Sequence, residues 1–186
     1  MSTASRSAKL TYEDYLLFPD DGKRHEVIQG DHFITPAPNT KHQRVLGHVH
    51  VALYTYLRHH IIGQVSIAPY DVVLSDEDVV QPDLLFISAA RLSIVTDINV
   101  RGTPDLIVEI LSEATRKKDE VTKRKLYERY GVQEYWLVDP ELETVKVLRL
   151  SGNQYVRAAE LSKEAHDVLT TPLLPGFSLP LVEIFD

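Results

Sequence analysis

Two carboxylates stand inside runs of apolar residues, and this restricts the fold of the 186-residue chain more than anything else in it. Asp83 lies in Val79-Val80-Gln81-Pro82-Asp83-Leu84-Leu85-Phe86-Ile87, and Glu109 in Leu106-Ile107-Val108-Glu109-Ile110-Leu111. Both runs are rich in Val, Ile and Leu and of strand length, so they read as core strands. Strand residues alternate sides, which groups Glu109 with Ile107 and Leu111 and turns its immediate neighbours the other way; both faces are apolar. An unpaired carboxylate there is expensive. Two are tolerated if they converge on a cation, and an all-oxygen set of carboxylates, backbone carbonyls and water suits Mg²⁺ or Mn²⁺ rather than zinc. The competing reading is that each acid simply ends its strand.

The rest of the chain supplies elements to pack around those strands. Residues 1–10 are small and polar and read as a disordered N-terminus, and 11–186 as one domain with no linker to divide it. Thr11 with Glu13 and Asp14 opens a helix to about Phe18, stopped by Pro19-Asp20-Asp21-Gly22. His25–Ile28 and His32–Ile34 flank Gln29-Gly30-Asp31 as a β-hairpin. From His42 to Arg58, Val45, Leu46, Val49, Ala52, Leu53, Tyr56 and Leu57 recur at helical spacing. Val65–Leu74 reads as a further core strand. A charged helix spans about Glu113–Tyr130 and ends at Gly131. Strands at Glu134–Asp139, Thr144–Leu150 and Gln154–Ala158 follow, with a part-helical apolar anchor over Leu179–Phe185. Tyr135 and Trp136 read as core filling, and Glu134 as structural. The fold class is α/β or α+β, a mixed β-sheet flanked by helices.

Composition narrows the chemistry. At 44% apolar and 25% charged residues the chain can bury a core. Without cysteine it has no disulfide, thiolate-metal or Cys-nucleophile option, which fits a reducing, cytoplasmic setting. No export signal and no run long enough to span a membrane stands out. Phosphate-loop, dinucleotide-binding, serine-hydrolase, zincin and EF-hand motifs are all missing from the sequence. His48, His50, His59 and His60 have no convincing metal spacing.

The net charge is −7, yet residues 116–129 hold seven bases against three acids. Beside a carboxylate site such a patch suits a phosphodiester backbone; the plainer reading is a solvated helix face. Lys123 stands apart, because residues 119, 123, 126, 127 and 130 form one stripe with Leu126, Tyr127 and Tyr130 toward the sheet. Its ammonium either pairs with Asp119 one turn back or reaches Asp83 and Glu109, where it could orient a water and offset phosphate charge.

Val80-Gln81-Pro82-Asp83-Leu84, Val108-Glu109-Ile110-Leu111-Ser112, the spacing of Asp119, Lys123 and Tyr127, and Gly131-Val132-Gln133-Glu134-Tyr135-Trp136-Leu137-Val138-Asp139-Pro140 together resemble the Uma-type family, a domain of unknown function assigned to the PD-(D/E)XK nuclease fold. The likeness runs from Thr11 to Phe185. It implies a restriction-endonuclease-like core, with Asp83, Glu109, the Ile110 backbone and Glu26 around an Mg²⁺ or Mn²⁺ ion. It also implies His42 at the head of the long helix and Gln81 beside the ligands as site residues. One departure stands out: the strand lysine of the usual E-x-K triplet falls on Leu111. The resemblance has Lys123 supply the ammonium from the following helix, with Lys125 as second choice.

The expected activity is therefore metal-dependent endonucleolytic hydrolysis of nucleic acid, with DNA as the expected substrate, by a homodimer. The alternative is a non-catalytic nucleic-acid-binding or assembly protein on the same fold. The acidic net charge keeps that alternative open.

Overall fold

The computed structural model describes residues 9–186. The expectation of a disordered N-terminus falls mainly on residues 1–8, outside that range. Its last two positions are bonded instead: the Leu10 amide donates to the Gly30 carbonyl at 3.0 Å, and the Lys9 ammonium lies 2.8 Å from Asp31.

The chain opens with α1 (Tyr12–Tyr15), capped by a reciprocal Thr11–Asp14 box and shorter than expected. The hairpin β1 (Arg24–Ile28) and β2 (Asp31–Thr35) follows, turning at Gln29-Gly30, both of positive φ as a tight two-residue turn demands. The amphipathic stretch is α2 (Thr40–His59), capped by Asn39. Each of the next two apolar runs is broken by a proline. Val65–Leu74 divides at Pro69 into β3 (Gly63–Ile67) and β4 (Val72–Ser75), and Val79–Ile87 divides at Pro82 into β5 (Asp78–Val80) and β6 (Leu84–Ser88). A proline has no N–H to give a ladder, so each break lets the chain pass from one sheet to another. A 3₁₀ turn at Ala89–Ile94 and a short β7 (Val100–Arg101) lead to β8 (Leu106–Ile110). The charged helix begins at Arg116, runs in wide turns over Lys118–Lys123 and becomes regular as α3 (Arg124–Tyr130). Strands β9 (Glu134–Asp139), β10 (Thr144–Ser151) and β11 (Gln154–Ser162), the pair β12 (Val168–Leu169) and β13 (Leu179–Pro180), and α4 (Leu181–Phe185) complete the chain.

The central sheet has the order β11-β10-β9-β8-β6-β3, and a second one β2-β1-β5-β4-β7. Alternation in β8 fixes the layers. Leu106, Val108 and Ile110, with Trp136 and Val138 of β9, pack on Val45, Val49 and Leu53 of α2 and on the C-terminal anchor. Ile107, Leu111, Tyr135 and Leu137 face Leu126 and Tyr127 of α3 and Ile28, Val72 and Val80 of the second sheet. Glu134 accepts from Trp136 Nε1 and from Arg149, a structural role. Among the described residues no helix is long and apolar enough to cross a membrane.

Two features of this topology position the acids. The antiparallel register Leu84↔Val108 places Asp83, one residue before β6, beside Glu109, one residue further along β8. The parallel pair β8 and β9 is joined through the charged helix, which returns over the face that carries Glu109.

Gly63, at the start of β3, lies so close to the Ile87 carbonyl and the Phe86 ring that a Cβ would collide with both. Gly63→Ala is expected to cost about 1–3 kcal/mol, read as a lower urea midpoint at unchanged slope. An unchanged midpoint would show that the β3–β6 edge gives way freely.

Candidate active site

Four elements converge behind the end of β8. On β1 the alternation turns Glu26 and Ile28 toward the central sheet, and Glu26 is 1% exposed. Its Oε1 accepts from the Gln81 amide at 3.0 Å and lies 2.7 Å from Lys123 Nζ; its Oε2 accepts from Lys118 Nζ at 2.7 Å. Lys118 also donates to Thr35 Oγ1 at 2.6 Å. Glu109 Oε1 accepts from Lys123 Nζ at 2.8 Å and from the Tyr127 hydroxyl at 2.9 Å. Asp83 uses both oxygens: Oδ1 accepts from Arg24 at 2.7 Å, while Oδ2 accepts from the Ile110 amide at 2.8 Å and from His42 Nε2 at 3.1 Å.

The end of the ladder explains the Ile110 contact. The β6–β8 ladder ends at Leu84↔Val108, so the Ile110 amide, beyond its end, donates to a side-chain oxygen of Asp83 instead of to a ladder carbonyl. Gln81 is fixed from the other side. Its amide nitrogen donates to Asp71 at 2.8 Å and to Tyr15 Oη at 3.1 Å; since a carboxylate only accepts, the amide orientation is determined, and its Oε1 is left buried with no partner.

The wide turns of the charged helix bring two lysines to one carboxylate. Over Lys118–Lys123 the backbone bonds span five residues, as in the Arg124 amide donating to the Asp119 carbonyl. Residues five apart then stack, and both Lys118 and Lys123 reach Glu26. In a regular helix five residues put side chains on different faces. Asp119 comes along: it is 2% exposed, its Oδ1 is 3.8 Å from Lys123 Nζ, and that oxygen has no hydrogen bond. The structure thus meets both readings of Lys123, with the carboxylates of Glu26 and Glu109 much nearer than Asp119.

Asp83, Glu109, Lys123, His42 and Gln81 line a cavity of about 460 Å³ together with Arg24, Lys118 and Asp119; Glu26 is bonded to the groups behind it. Ile110 joins through its amide. Lys125 is exposed, and Leu111 is packed in the core facing α3. Arg24, Lys118, Asp119 and Tyr127 were not identified as site residues from the sequence. Tyr127 lies on the same helical stripe as Lys123, but nothing in the sequence announces the wide turns that deliver Lys118. Four of the seven bases of the patch are engaged within the protein: Arg116, Lys118, Lys123 and Arg129 bind Asp139, Glu26, Glu109 and Asp78, while Lys117 and Lys125 are exposed and make no ion pair among the described residues.

The balance of charge matters more than any one contact. Four buried carboxylates, Glu26, Asp83, Glu109 and Asp119, face three basic side chains, Arg24, Lys118 and Lys123, and one imidazole. Burial pushes Glu26 up, but Lys123 and Lys118 outweigh it and hold it at about 2. Burial likewise raises Asp83, and its bonds to His42 and Arg24 prevail, leaving it below the usual carboxylate range. Glu109 is the group that retains a proton: burial raises it, Lys123 opposes, and the charges of Asp119, Asp83 and Glu26 carry it to about 8. Burial also lifts Asp119, against the pull of Lys123, to about 6. Burial works against the Lys123 ammonium, but Glu109, Glu26 and Asp119 hold its proton well above the ordinary range.

These residues fit a hard divalent cation by their chemistry. The donors are all oxygen, the cluster has one carboxylate more than its basic partners, and Asp119 Oδ1 and Gln81 Oε1 are buried without partners. The carboxylates are turned onto basic side chains, and among the described residues no three Asp, Glu, His or Cys side chains close on one point.

The model of the Uma2 family, described as "Putative restriction endonuclease", matches residues 12–182. The chain belongs to this family. Its fold is shared with a crystal structure described as "a putative nuclease" from Anabaena variabilis, with a TM-score of 0.79 at 19% identity, covering 95% of this chain and 97% of that one. No curated protein matches the sequence. The Uma2 chain thus has a nuclease-like fold.

The raised value of Glu109 gives stability a pH dependence. The folded Uma2 protein keeps a proton on Glu109 where the unfolded chain, at the ordinary value of 4.5, has lost it. Stability should therefore fall as pH climbs from about 4.5 toward 8. The urea midpoint is expected to drop across that interval, and Glu109→Gln, which mimics the protonated carboxyl, to flatten the slope. A midpoint that rises with pH in the wild type would contradict the assignment.

Proposed function

We propose that this Uma2 protein is a divalent-metal-dependent endonuclease that hydrolyses phosphodiester bonds, with DNA as its substrate. The observation that supports this best is the Lys123 ammonium, 2.8 Å from Glu109 and 2.7 Å from Glu26 at a cavity that Asp83 also lines, where an ammonium next to two carboxylates suits phosphate chemistry. Asp83 and Glu109 would hold Mg²⁺ or Mn²⁺, with Asp119, Gln81 and the Ile110 backbone as further oxygens. Such an ion, when bound, lowers the pKa of a water and offsets charge on the phosphate. Lys123 donates toward the attacked phosphate or its nucleophilic water. Glu26 keeps Lys123 and Lys118 in place. His42 Nε2–H orients Asp83, and its buried Nδ1, which has no partner, is available to accept from a water.

One observation favours a second reading, a cluster that only braces the fold: both Asp83 oxygens and Glu109 Oε1 already have protein partners. The two readings separate in a cleavage assay. Supercoiled plasmid and single-stranded DNA are incubated with wild type, Glu109→Gln and Lys123→Met in Mn²⁺, Mg²⁺ or EDTA. The endonuclease reading predicts metal-dependent cleavage that falls by about 10²–10³-fold in either variant, with each variant folded by circular dichroism. Folded wild-type protein that cleaves neither DNA with either metal would favour the bracing role.

A further inference from the structure

With Lys118 and Lys123, the lysines that line the cavity, committed to internal carboxylates, a polynucleotide near this site draws on cations outside it. The long helix α2 has them. Over Thr40–His59 it carries Lys41, Arg44, Arg58 and four histidines and not one acid, in a chain of net charge −7. Lys41 pairs with Glu141, whereas Arg44 and Arg58 are exposed and make no ion pair among the described residues.

Arg44, His48, Val51, Thr55 and Arg58 follow one another at steps of four and three, which makes them one stripe of the helix. The first four line a groove of about 840 Å³ whose apolar surface includes Val51, Ala52, Tyr56, Phe177 and Leu179. Between this groove and the cavity of the buried carboxylates lies a hollow of about 350 Å³ that borders both. The hollow shares Arg24, Pro38 and Gln81 with the cavity and Gln43 with the groove. A furrow therefore leads from the buried carboxylates around the start of α2 and along its exposed side.

We propose that this furrow is the track of a single polynucleotide strand, with Arg44 and Arg58 on its phosphates and Val51 and Tyr56 against its bases. The proposal rests on the phosphodiesterase reading and adds the form of the substrate. Charge complementarity selects the occupant: the α2 stripe is cationic and acid-free, while the acids that line the groove and the hollow, Glu183 of α4 and Asp20 before β1, belong to other walls, and the hollow adds Lys23 and Arg24. Cavity size selects a single strand over a duplex. Asp83 and Glu109 are 2% and 3% exposed, and the cavity is of small-molecule size. An unpaired strand lowers one nucleotide into such a space, whereas a duplex must first extrude it. From Arg44 to Arg58 the helix rises about 21 Å, the length of about six nucleotides at about 3.4 Å each.

The test is fluorescence anisotropy in EDTA, so that binding is read without cleavage. Labelled oligothymidylates of about 4 to 20 nucleotides, an oligouridylate and a duplex of the longest length are titrated into wild type and the Arg44→Glu/Arg58→Glu variant. Affinity is expected to rise with length until the furrow is filled, and the single strand to bind more tightly than the duplex. The variant, with an unchanged far-UV spectrum, should bind the longest strand at least about tenfold more weakly, and its dependence of log K on log salt should be shallower by about 1.4. The oligouridylate shows whether the track prefers RNA or DNA. Affinity independent of length, tighter binding of the duplex, equal binding by the variant, or no binding by wild type would each overturn the proposal. A wild type that binds as described but cleaves nothing with Mn²⁺ would refute the phosphodiesterase reading and leave this surface standing.

Discussion

The ammonium of Lys123, held 2.7 Å from Glu26 and 2.8 Å from Glu109, ties three remote parts of the chain to one point. Glu26 comes from the hairpin of the second sheet, Glu109 from the middle of the central sheet, and Lys123 from the helix between β8 and β9. Each group alone would be costly to bury. Together they form a cluster in which loss of any one member strands the others, a penalty of about 3–5 kcal/mol in buried pairs. The interaction is thus a condition for the two sheets and the helix to meet as they do. It also leaves a cavity at the spot where the acids are most concentrated.

That concentration has a chemical consequence. The cluster holds more carboxylates than basic side chains, so the surplus is relieved by a proton, which Glu109 carries, or by a cation. Family membership and the shared nuclease-like fold agree with the second use, and the all-oxygen donor set sets the kind of ion. Leu111 leaves the strand without a lysine, and under the proposed function the ammonium comes from Lys123, since what phosphate chemistry needs is the position of an ammonium, not its place in the sequence.

Much of this was legible in advance, for reasons that lie in particular residues. Alternation around Glu109 announced a buried acid with apolar layers on both sides, and the stripe through Lys123, Leu126 and Tyr127 announced a lysine turned toward the sheet. The hairpin at Gln29-Gly30 and the helix from Thr40 followed from turn chemistry and periodicity. Pro69 and Pro82 were visible, yet the apolar runs around them read as unbroken strands, and the exchange between sheets at each proline depends on tertiary pairing. The wide turns at Lys118–Lys123 carry no local signature at all. Treating the helix as regular throughout hid Lys118 as a partner of Glu26 and left Asp119 as a neighbour of Lys123 rather than a fourth acid of the site. For the basic run the plainer reading was a solvated face; four of its seven bases are instead paired with internal carboxylates, since the charge of a sequence does not show which bases are already paired.

The account stands most directly on the surplus carboxylate. Isothermal titration calorimetry of Mn²⁺ into the protein near pH 7, repeated in buffers of different ionisation enthalpy, counts the protons displaced by the ion. Release of about one proton per bound ion, lost in Glu109→Gln, is the result expected if Glu109 exchanges its proton for metal. Binding with no proton release, or no binding to the folded protein, would contradict a site built around that exchange.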